Sequence, residues 1–243
     1  MNLLDSTEKL RRDRSLIEVL IEDPSRLGPD YQPVVRFSDG AVVAHKATGR
    51  GASGTDLEST LELLESAKST GLVERLDWAF RCLALEQCLE ARLSTELHLT
   101  PEPETYGSAC PPRLASTFAR GNRELRVAAE LHADGLAHPR LDSALREWRG
   151  WGWRIVVTDV STGVDAHLLR TLDHISPDVL QVDVSQPSAS GGQVRELLEW
   201  AAGREVEVHA TGVDLEARRA LALDLGAVAG RGRLLGAPGP LAV

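Results

Sequence analysis

The sequence LDSALREWRGWGWRIVVTDVSTGVDAHLLRTLDHISPDVLQV, residues 141 to 182, contains two short apolar runs that each follow an amphipathic segment. Apolar residues recur at helical spacing over Leu141–Arg149 and again over Ala166–Ile175. The runs Arg154–Val157 and Val179–Val182 are rich in β-branched residues, which is typical of buried strands. Helices that alternate with buried strands predict parallel β-α-β units.

The same alternation extends over most of the chain after an opening hairpin. Two β-rich runs, Tyr31–Phe37 and Ala41–Lys46, flank the turn residues Ser38-Asp39-Gly40 and predict two antiparallel strands. Further strands are predicted at Glu96–Leu99, Leu125–Leu131, Glu205–His209 and Ala227–Ala229. Further helices are predicted at Asp56–Ser69, Val73–Arg92, Pro112–Arg120, Gln193–Ala202 and Leu215–Leu225.

This order of elements predicts an α/β fold, a TIM-like (β/α)8 barrel with one antiparallel strand near the N-terminus. We expect a single domain over residues 1–243, with an N-terminal helix over residues 6–23 and the barrel over about residues 31–238. The segment 100–112, rich in Pro, Glu and Gly, is predicted to be a loop.

Composition limits the classes of partner. The net charge of −9 argues against a nucleic-acid partner, because an acidic surface repels a polyanion. No segment reaches the roughly 18 apolar residues of a membrane span, and the N-terminus lacks the apolar core of a signal peptide. The three cysteines, none in a C-x-x-C arrangement, favour a reduced setting. We therefore expect a cytoplasmic protein with neither a membrane nor a nucleic-acid partner.

Chemistry in such a barrel lies at the carboxyl ends of the strands. The polar residues predicted there are Lys46, His98, Glu130, Thr158, Asp159, Gln181, Asp183, Thr211 and Asp214. Lys46 is one of only three lysines in the chain. This set contains few metal-binding side chains for a metal enzyme.

Read in order, these strand ends resemble the EAL-domain family, bacterial phosphodiesterases that cleave cyclic di-GMP with two divalent metals. YQPVV at residues 31–35 resembles the family's YQPIV strand, and GAVVAHKATGRG at 40–51 resembles its GEIVGYEALLRG hairpin. The other matching stretches are GWRIVVTDVSTG at 152–163, PDVLQVD at 177–183, VHATGVDL at 208–215 and GAVAGRGRLLGAP at 226–238. The resemblance implies a barrel of the EAL type.

At the positions where the family has its catalytic and metal-binding residues, this sequence differs from the family pattern. Lys46 stands where the EAL motif has its metal-binding glutamate, and His98 replaces an asparagine. The other replacements are Ala133 for the second glutamate of an ExxE-like stretch, Thr158 for one of two paired aspartates, Gln181 for a lysine and Thr211 for a glutamate. The residues that match the family are Gln32, Arg50, Glu130, Asp159, Asp183 and, conservatively, Asp214.

Charge decides what these departures imply. A two-metal site needs several anionic oxygen donors, because two dications are held close together. Three carboxylates are replaced by Lys46, Thr158 and Thr211, and the first of these positions carries an ammonium, which has no acceptor lone pair. We predict a vestigial site with no catalytic residue, no metal and no cofactor.

Three local alternatives remain open. Lys46 could pair with Glu130 or Asp159 in place of an ion, or it could point into solvent. Gln32, Arg50 and Arg231 could hold a phosphate without metal, together with Lys46 and His98. His98, Glu130 and Asp159 could bind a single ion such as Zn²⁺.

The leading functional prediction is a catalytically inactive EAL-like domain that acts as a regulatory or protein-interaction module in cyclic di-GMP signalling, through an unidentified protein partner. The alternative is a metal-independent receptor for cyclic di-GMP or a related phosphorylated ligand. A third reading is an enzyme with rebuilt chemistry around Glu130, Asp159 and His98. The loop Ser161-Thr162-Gly163 has the shape of a family loop that takes part in dimer contacts, so the resemblance also implies a possible homodimer.

Overall fold

A computed structural model describes residues 3–160, 164–186 and 192–241. The predicted dimer loop, residues 161–163, lies outside the described residues. The helices are α1 (Leu3–Glu22), α2 (Thr60–Thr70), α3 (Val73–Glu90), α4 (Ala115–Glu124), α5 (Leu141–Gly150), α6 (Ala166–Ile175), α7 (Gly192–Ala202) and α8 (Glu216–Asp224). The strands are β1 (Asp30–Arg36), β2 (Val42–Thr48), β3 (Glu96–Leu99), β4 (Val127–Leu131), β5 (Arg154–Val157), β6 (Val179–Asp183), β7 (Glu207–Thr211) and β8 (Ala229–Gly230).

The eight strands close into a barrel in chain order, which confirms the predicted fold. Strand β1 runs antiparallel to both of its neighbours, β2 and β8, and the remaining pairs are parallel. The single reversed strand is therefore the first one. This direction follows from the opening hairpin, because a short turn joins β1 to β2.

Some predicted boundaries are wrong by a few residues for local reasons. Helix α2 begins at Thr60 rather than Asp56, because the Ser59 hydroxyl caps it by accepting a hydrogen bond from the Glu62 amide. Strand β7 begins at Glu207, since Glu205 has a left-handed φ of 58° that ends the preceding turn. Residues 112–114 form a 3-10 turn before α4 rather than its first turn.

The apolar core lies mainly outside the barrel, between the strands and their helices. Its largest cluster packs Trp78 and Leu85 of α3 against strand residues such as Leu97 and Ile155, all of which are buried. A second cluster joins α1, α2 and α3 near the carboxyl end of β2. These layers hold the strands rigidly, so that side chains at the strand ends keep fixed positions.

The interior of the barrel changes from apolar to polar along the strands. Small side chains form its apolar layers, namely Val34, Ala44, Ala128, Val156, Val179 and Ala229. Two residues further along their strands, Lys46 and Glu130 are also buried, as are His98 and Gln181. Because successive residues of a strand point to opposite faces, this spacing of two directs these polar residues into the barrel as well.

Candidate functional site

Glu130 lies at the centre of the polar layer and is fully buried. Its Oε1 lies 3.1 Å from Lys46 Nζ and accepts a hydrogen bond of 3.0 Å from Arg231 Nη2. Its Oε2 accepts a longer hydrogen bond, 3.3 Å, from Gln181 Nε2, and His98 Nδ1 lies 3.6 Å away. We call these five residues the Glu130 cluster. The predicted pair of Lys46 with Glu130 is present, and Lys46 does not point into solvent.

Five strands position the cluster. Lys46 lies near the carboxyl end of β2, His98 lies on β3, Glu130 on β4 and Gln181 on β6, while Arg231 directly follows β8. The Lys46 ammonium also donates to Thr100 Oγ1, just beyond β3. The contacts therefore cross the barrel mouth and tie strands that are not neighbours in the sheet.

Electrostatics keeps Glu130 ionised. Burial alone would raise the pKa of this carboxyl, but the charges of Lys46 and Arg231 and the nearby His98 ring hold the pKa well below its usual range. Burial acts on Lys46 in the opposite sense and lowers the pKa of its ammonium, although Glu130 partly offsets this. For His98, burial is outweighed by the two carboxylates beside it, Glu130 and Glu96, which raise its pKa.

Lowering the pH should expose the contribution of this ion cluster. Because the pKa of folded Glu130 is depressed, its stabilisation is present above about pH 4.3 and is lost as the pH falls through the folded-state pKa. His98 acts in the opposite direction, since its raised pKa gives stabilisation below about pH 6.5 that is lost as the pH rises through the folded-state pKa. We expect the difference in free energy of unfolding between wild type and Glu130→Gln, measured in urea, to narrow between about pH 5 and about pH 3, below the range in which the His98 contribution changes. A constant difference over that range would contradict the pairing.

Asp159, the other acid that the sequence places with the metal positions, does not join the cluster. Its side chain is 54% exposed, and its Oδ2 lies 2.6 Å from His132 Nδ1 at the rim. The residue has a left-handed φ of 61°, which turns the chain at the end of β5. The hydrogen bond from His132 lowers the pKa of Asp159. The structure therefore does not assemble His98, Glu130 and Asp159 as one ligand set.

The remaining predicted acids are satisfied locally. Asp183 Oδ1 accepts the Ser185 amide at 2.8 Å. Asp214 accepts the Arg233 amide at 2.8 Å and pairs with Arg218 at 3.2 Å. Thr158 and Thr211 are buried or nearly so and offer only hydroxyl oxygens.

The residues predicted to hold a phosphate are not brought together. Gln32 Nε2 donates to the Gly236 carbonyl at 3.1 Å. Arg50 pairs with Asp30 at 3.3 Å and also with Glu58, away from the Glu130 cluster. Arg231 alone of the three reaches the centre, and there it already binds a carboxylate.

The residues at these strand ends do not fit a pair of divalent metals. Within the described part of the chain, no group of three or more His, Cys, Asp or Glu side chains has the geometry to hold an ion. Glu130 is the single carboxylate in its cluster, and two cationic side chains occupy its Oε1. A dication there would meet the charge of Lys46 directly, which is unfavourable in a buried site.

The sequence analysis did not identify two residues beside the site, His132 and Glu96, although their spacing could have indicated them. His132 comes two residues after Glu130, and Glu96 comes two residues before His98. Strand alternation therefore places His132 on the same side as Glu130, and Glu96 on the same side as His98. Glu96 Oε1 lies 3.0 Å from His98 Nε2 and 3.6 Å from Arg154 Nη1. Arg154 in turn contacts Glu207 at 2.9 Å. A chain of charged groups therefore continues below the Glu130 cluster toward the other end of the barrel.

A cavity of about 280 Å³ opens beside the cluster. Lys46, Thr100, Glu130, His132 and Arg231 contribute polar lining. Its apolar lining comes from Leu27, Ala47, Leu63, Leu64, Leu76 and Phe80. The cavity thus joins the barrel mouth to the packing space of α2 and α3.

Fold and site together define an α/β barrel whose strand ends surround a buried ion cluster. A family model described as EAL domain matches residues 17–238, and the chain belongs to that family. No curated protein matches the chain. Within the described residues, no helix has the length and apolar character needed to cross a membrane.

Solved structures with this fold include several EAL proteins. The PaMucR phosphodiesterase in a c-di-GMP complex has a TM-score of 0.73 and 20% identity, over 88% of this chain and 97% of that one. The Xanthomonas citri FimX EAL domain in complex with c-diGMP has a TM-score of 0.76 and 15% identity, over 98% and 97%. The Bacillus subtilis YkuI protein, with an EAL domain, substrate c-di-GMP and calcium, has a TM-score of 0.74 and 16% identity, over 93% and 58%. These identities establish the fold alone.

Proposed function

We propose that this EAL domain has lost cyclic di-GMP phosphodiesterase activity and acts as a regulatory or protein-interaction module in cyclic di-GMP signalling. The observation that carries the proposal is the contact of Lys46 and Arg231 with one oxygen of Glu130, at 3.1 and 3.0 Å. Two-metal hydrolysis uses the ions to generate the nucleophile and to neutralise the phosphate. Here an ammonium and a guanidinium already neutralise the carboxylate that remains.

The replaced positions offer no other route to the same chemistry. The Lys46 ammonium can donate hydrogen bonds but cannot coordinate a water oxygen, so it cannot activate a water as a metal does. Thr211, where the family pattern has a glutamate, has a hydroxyl that is a weak base at neutral pH. The barrel therefore keeps the family's outline, while internal ion pairs neutralise the carboxylate at its mouth.

A turnover assay tests the loss of activity. With cyclic di-GMP and either Mg²⁺ or Mn²⁺, we expect the wild type to release no more linear product than Glu130→Ala, assayed at a temperature where both proteins are folded. Cleavage well above the Glu130→Ala level would overturn the proposal. A catalytically competent EAL domain assayed in parallel shows that the conditions support turnover.

Calorimetry in the presence of a metal chelator distinguishes a protein-interaction module from a metal-independent receptor for cyclic di-GMP. The cations that would receive a phosphate are paired within the chain, since Arg50 contacts Asp30 and Glu58 while Arg231 contacts Glu130. We therefore expect a flat titration with cyclic di-GMP. Saturable binding of cyclic di-GMP without metal would favour the metal-independent receptor over the interaction module.

The partner, the location and the oligomeric state are part of the same proposal. Relatives of this fold are described in complexes with c-di-GMP, which supports the signalling context. The free thiols Cys82, Cys88 and Cys110 support a reduced, cytoplasmic setting. An unidentified protein partner would be found by affinity capture, and a homodimer would be detected by analytical ultracentrifugation.

A further inference from the structure

The Glu130 cluster holds more positive than negative charge. Lys46 and Arg231 both contact Glu130 Oε1, and Arg231 Nε is buried without a hydrogen-bond partner in the described structure. Of the neighbouring carboxylates, Glu96 is engaged by His98 and Arg154, and Asp159, which is half exposed, is engaged by His132. Residues 161–163 and 187–191, which lie outside the described part of the chain, include no Asp or Glu. Lys46, which is buried, and Arg231, which is partly exposed, therefore share one carboxylate.

The cavity beside these cations is mostly apolar. Leu63 and Leu64 of α2, with Leu76 and Phe80 of α3, line it away from the ion cluster. Its volume of about 280 Å³ is nearly twice the roughly 150 Å³ that accepts benzene in a protein core. At the same packing, this space takes a hydrocarbon body of about ten carbon atoms.

The other acids that line the cavity are already balanced. Asp77 pairs with Arg81, which is buried with it. Glu102 lies 3.5 Å from Lys68. Neither acid is free to neutralise the two cations at the strand ends.

We propose that this cavity binds a small amphipathic carboxylic acid, with its carboxylate on Lys46 and Arg231 and its hydrocarbon body between α2 and α3. A carboxylate supplies the missing negative charge and matches the planar donors of a guanidinium. A neutral hydrocarbon would leave the Arg231 N–H unpaired, and a dianionic phosphate would place excess negative charge beside Glu130. The proposal rests on the loss of the paired metals, because bound dications would occupy the position of the Lys46 ammonium.

Calorimetry with octanoate and four related probes tests the class of ligand. In the presence of a chelator, we expect octanoate to bind at one site. Acetate lacks the hydrocarbon body, octanol lacks the charge and octylamine carries a positive charge, so each should bind at least tenfold more weakly. Octyl phosphate tests the type of anion. Failure of octanoate to bind, or tenfold tighter binding of octyl phosphate or octylamine, would overturn the proposal.

Variants on one helix locate the site. Leu64→Trp fills the cavity from α2 and should weaken octanoate binding at least tenfold, whereas Leu61→Trp, at a position 67% exposed on the same helix, should leave it unchanged. Arg231→Met should also weaken binding at least tenfold. Equal affinities for the two tryptophan variants would place the ligand elsewhere and refute the site.

The outcomes separate this inference from the proposed function. If octanoate fails to bind and the turnover assay remains negative, the ligand site alone is wrong. If Mg²⁺ or Mn²⁺ supports cleavage of cyclic di-GMP, the loss of activity is wrong whatever octanoate does.

Discussion

Replacing Glu130 with glutamine should lower the free energy of unfolding by about 3–5 kcal/mol, because it leaves the buried Lys46 and the partly buried Arg231 without their anion. Glutamine keeps the size of the side chain but replaces one acceptor oxygen with an NH2 group that only donates, so the loss reports the carboxylate's charge and acceptor rather than packing. Lys46 and Arg231 would then repel each other across a fully buried position. For a chain of this length, the thermal midpoint should fall by about 6–20 °C.

Urea unfolding monitored by circular dichroism measures the effect, and Glu65→Gln on the exposed surface of α2 is the matched control. The control should change the free energy of unfolding by no more than about 0.5 kcal/mol. A Glu130→Gln protein as stable as the control would show that the buried carboxylate does not hold the two cations.

Lys46→Met provides a sharper comparison within the same cluster. Glu130 would still be paired with Arg231 and would still lie beside His98, so its charge would remain compensated. We expect this variant to lose less stability than Glu130→Gln, because a methionine packs well against the apolar wall of the cavity. The asymmetry follows from two cations sharing one anion, and the reverse order of effects would contradict that charge balance.

Much of this barrel is predictable from the sequence, because periodicity and strand alternation are local signals. The strands Glu96–Leu99 and Arg154–Val157 and the helix Ala166–Ile175 have the predicted bounds. Alternation along β2 also directs Lys46 inward, where it contacts Glu130.

The rest depends on contacts between residues far apart in the chain. Arg231 and Glu130 are separated by 101 positions, and they meet across the mouth because the barrel closes between β8 and β1. Asp159 lies outside the cluster because a left-handed backbone turn directs its side chain to His132. No residue pattern in the sequence indicates that turn. The cavity arises where α2 and α3 meet the mouth, so it exists only in the packed structure.

Replacing Gly232 with alanine should be the other strongly destabilising change, at about 3 kcal/mol. A Cβ at this position would lie 2.2 Å from the Val213 carbonyl oxygen and 2.4 Å from the Val213 nitrogen. Backbone atoms cannot move aside as a side-chain tip can, so the segments after β7 and β8 must separate. The resemblance of residues 226–238 to a family motif therefore has a physical basis at this glycine, which permits close backbone approach.

The same displacement should disturb the ion cluster, because Arg231 precedes Gly232. The Arg231 amide donates to the Ala210 carbonyl at 2.8 Å, and the Val213 amide donates to the Arg231 carbonyl at 3.1 Å. We expect the thermal midpoint of Gly232→Ala to fall by about 6–12 °C, measured by calorimetry. Gly203→Ala is the control, since its Cβ would meet atoms no closer than 3.6 Å and the change should be within about 0.5 kcal/mol. If the two alanine variants were equally stable, the close approach at Val213 would not constrain the chain, and the position of Arg231 over Glu130 would need another cause.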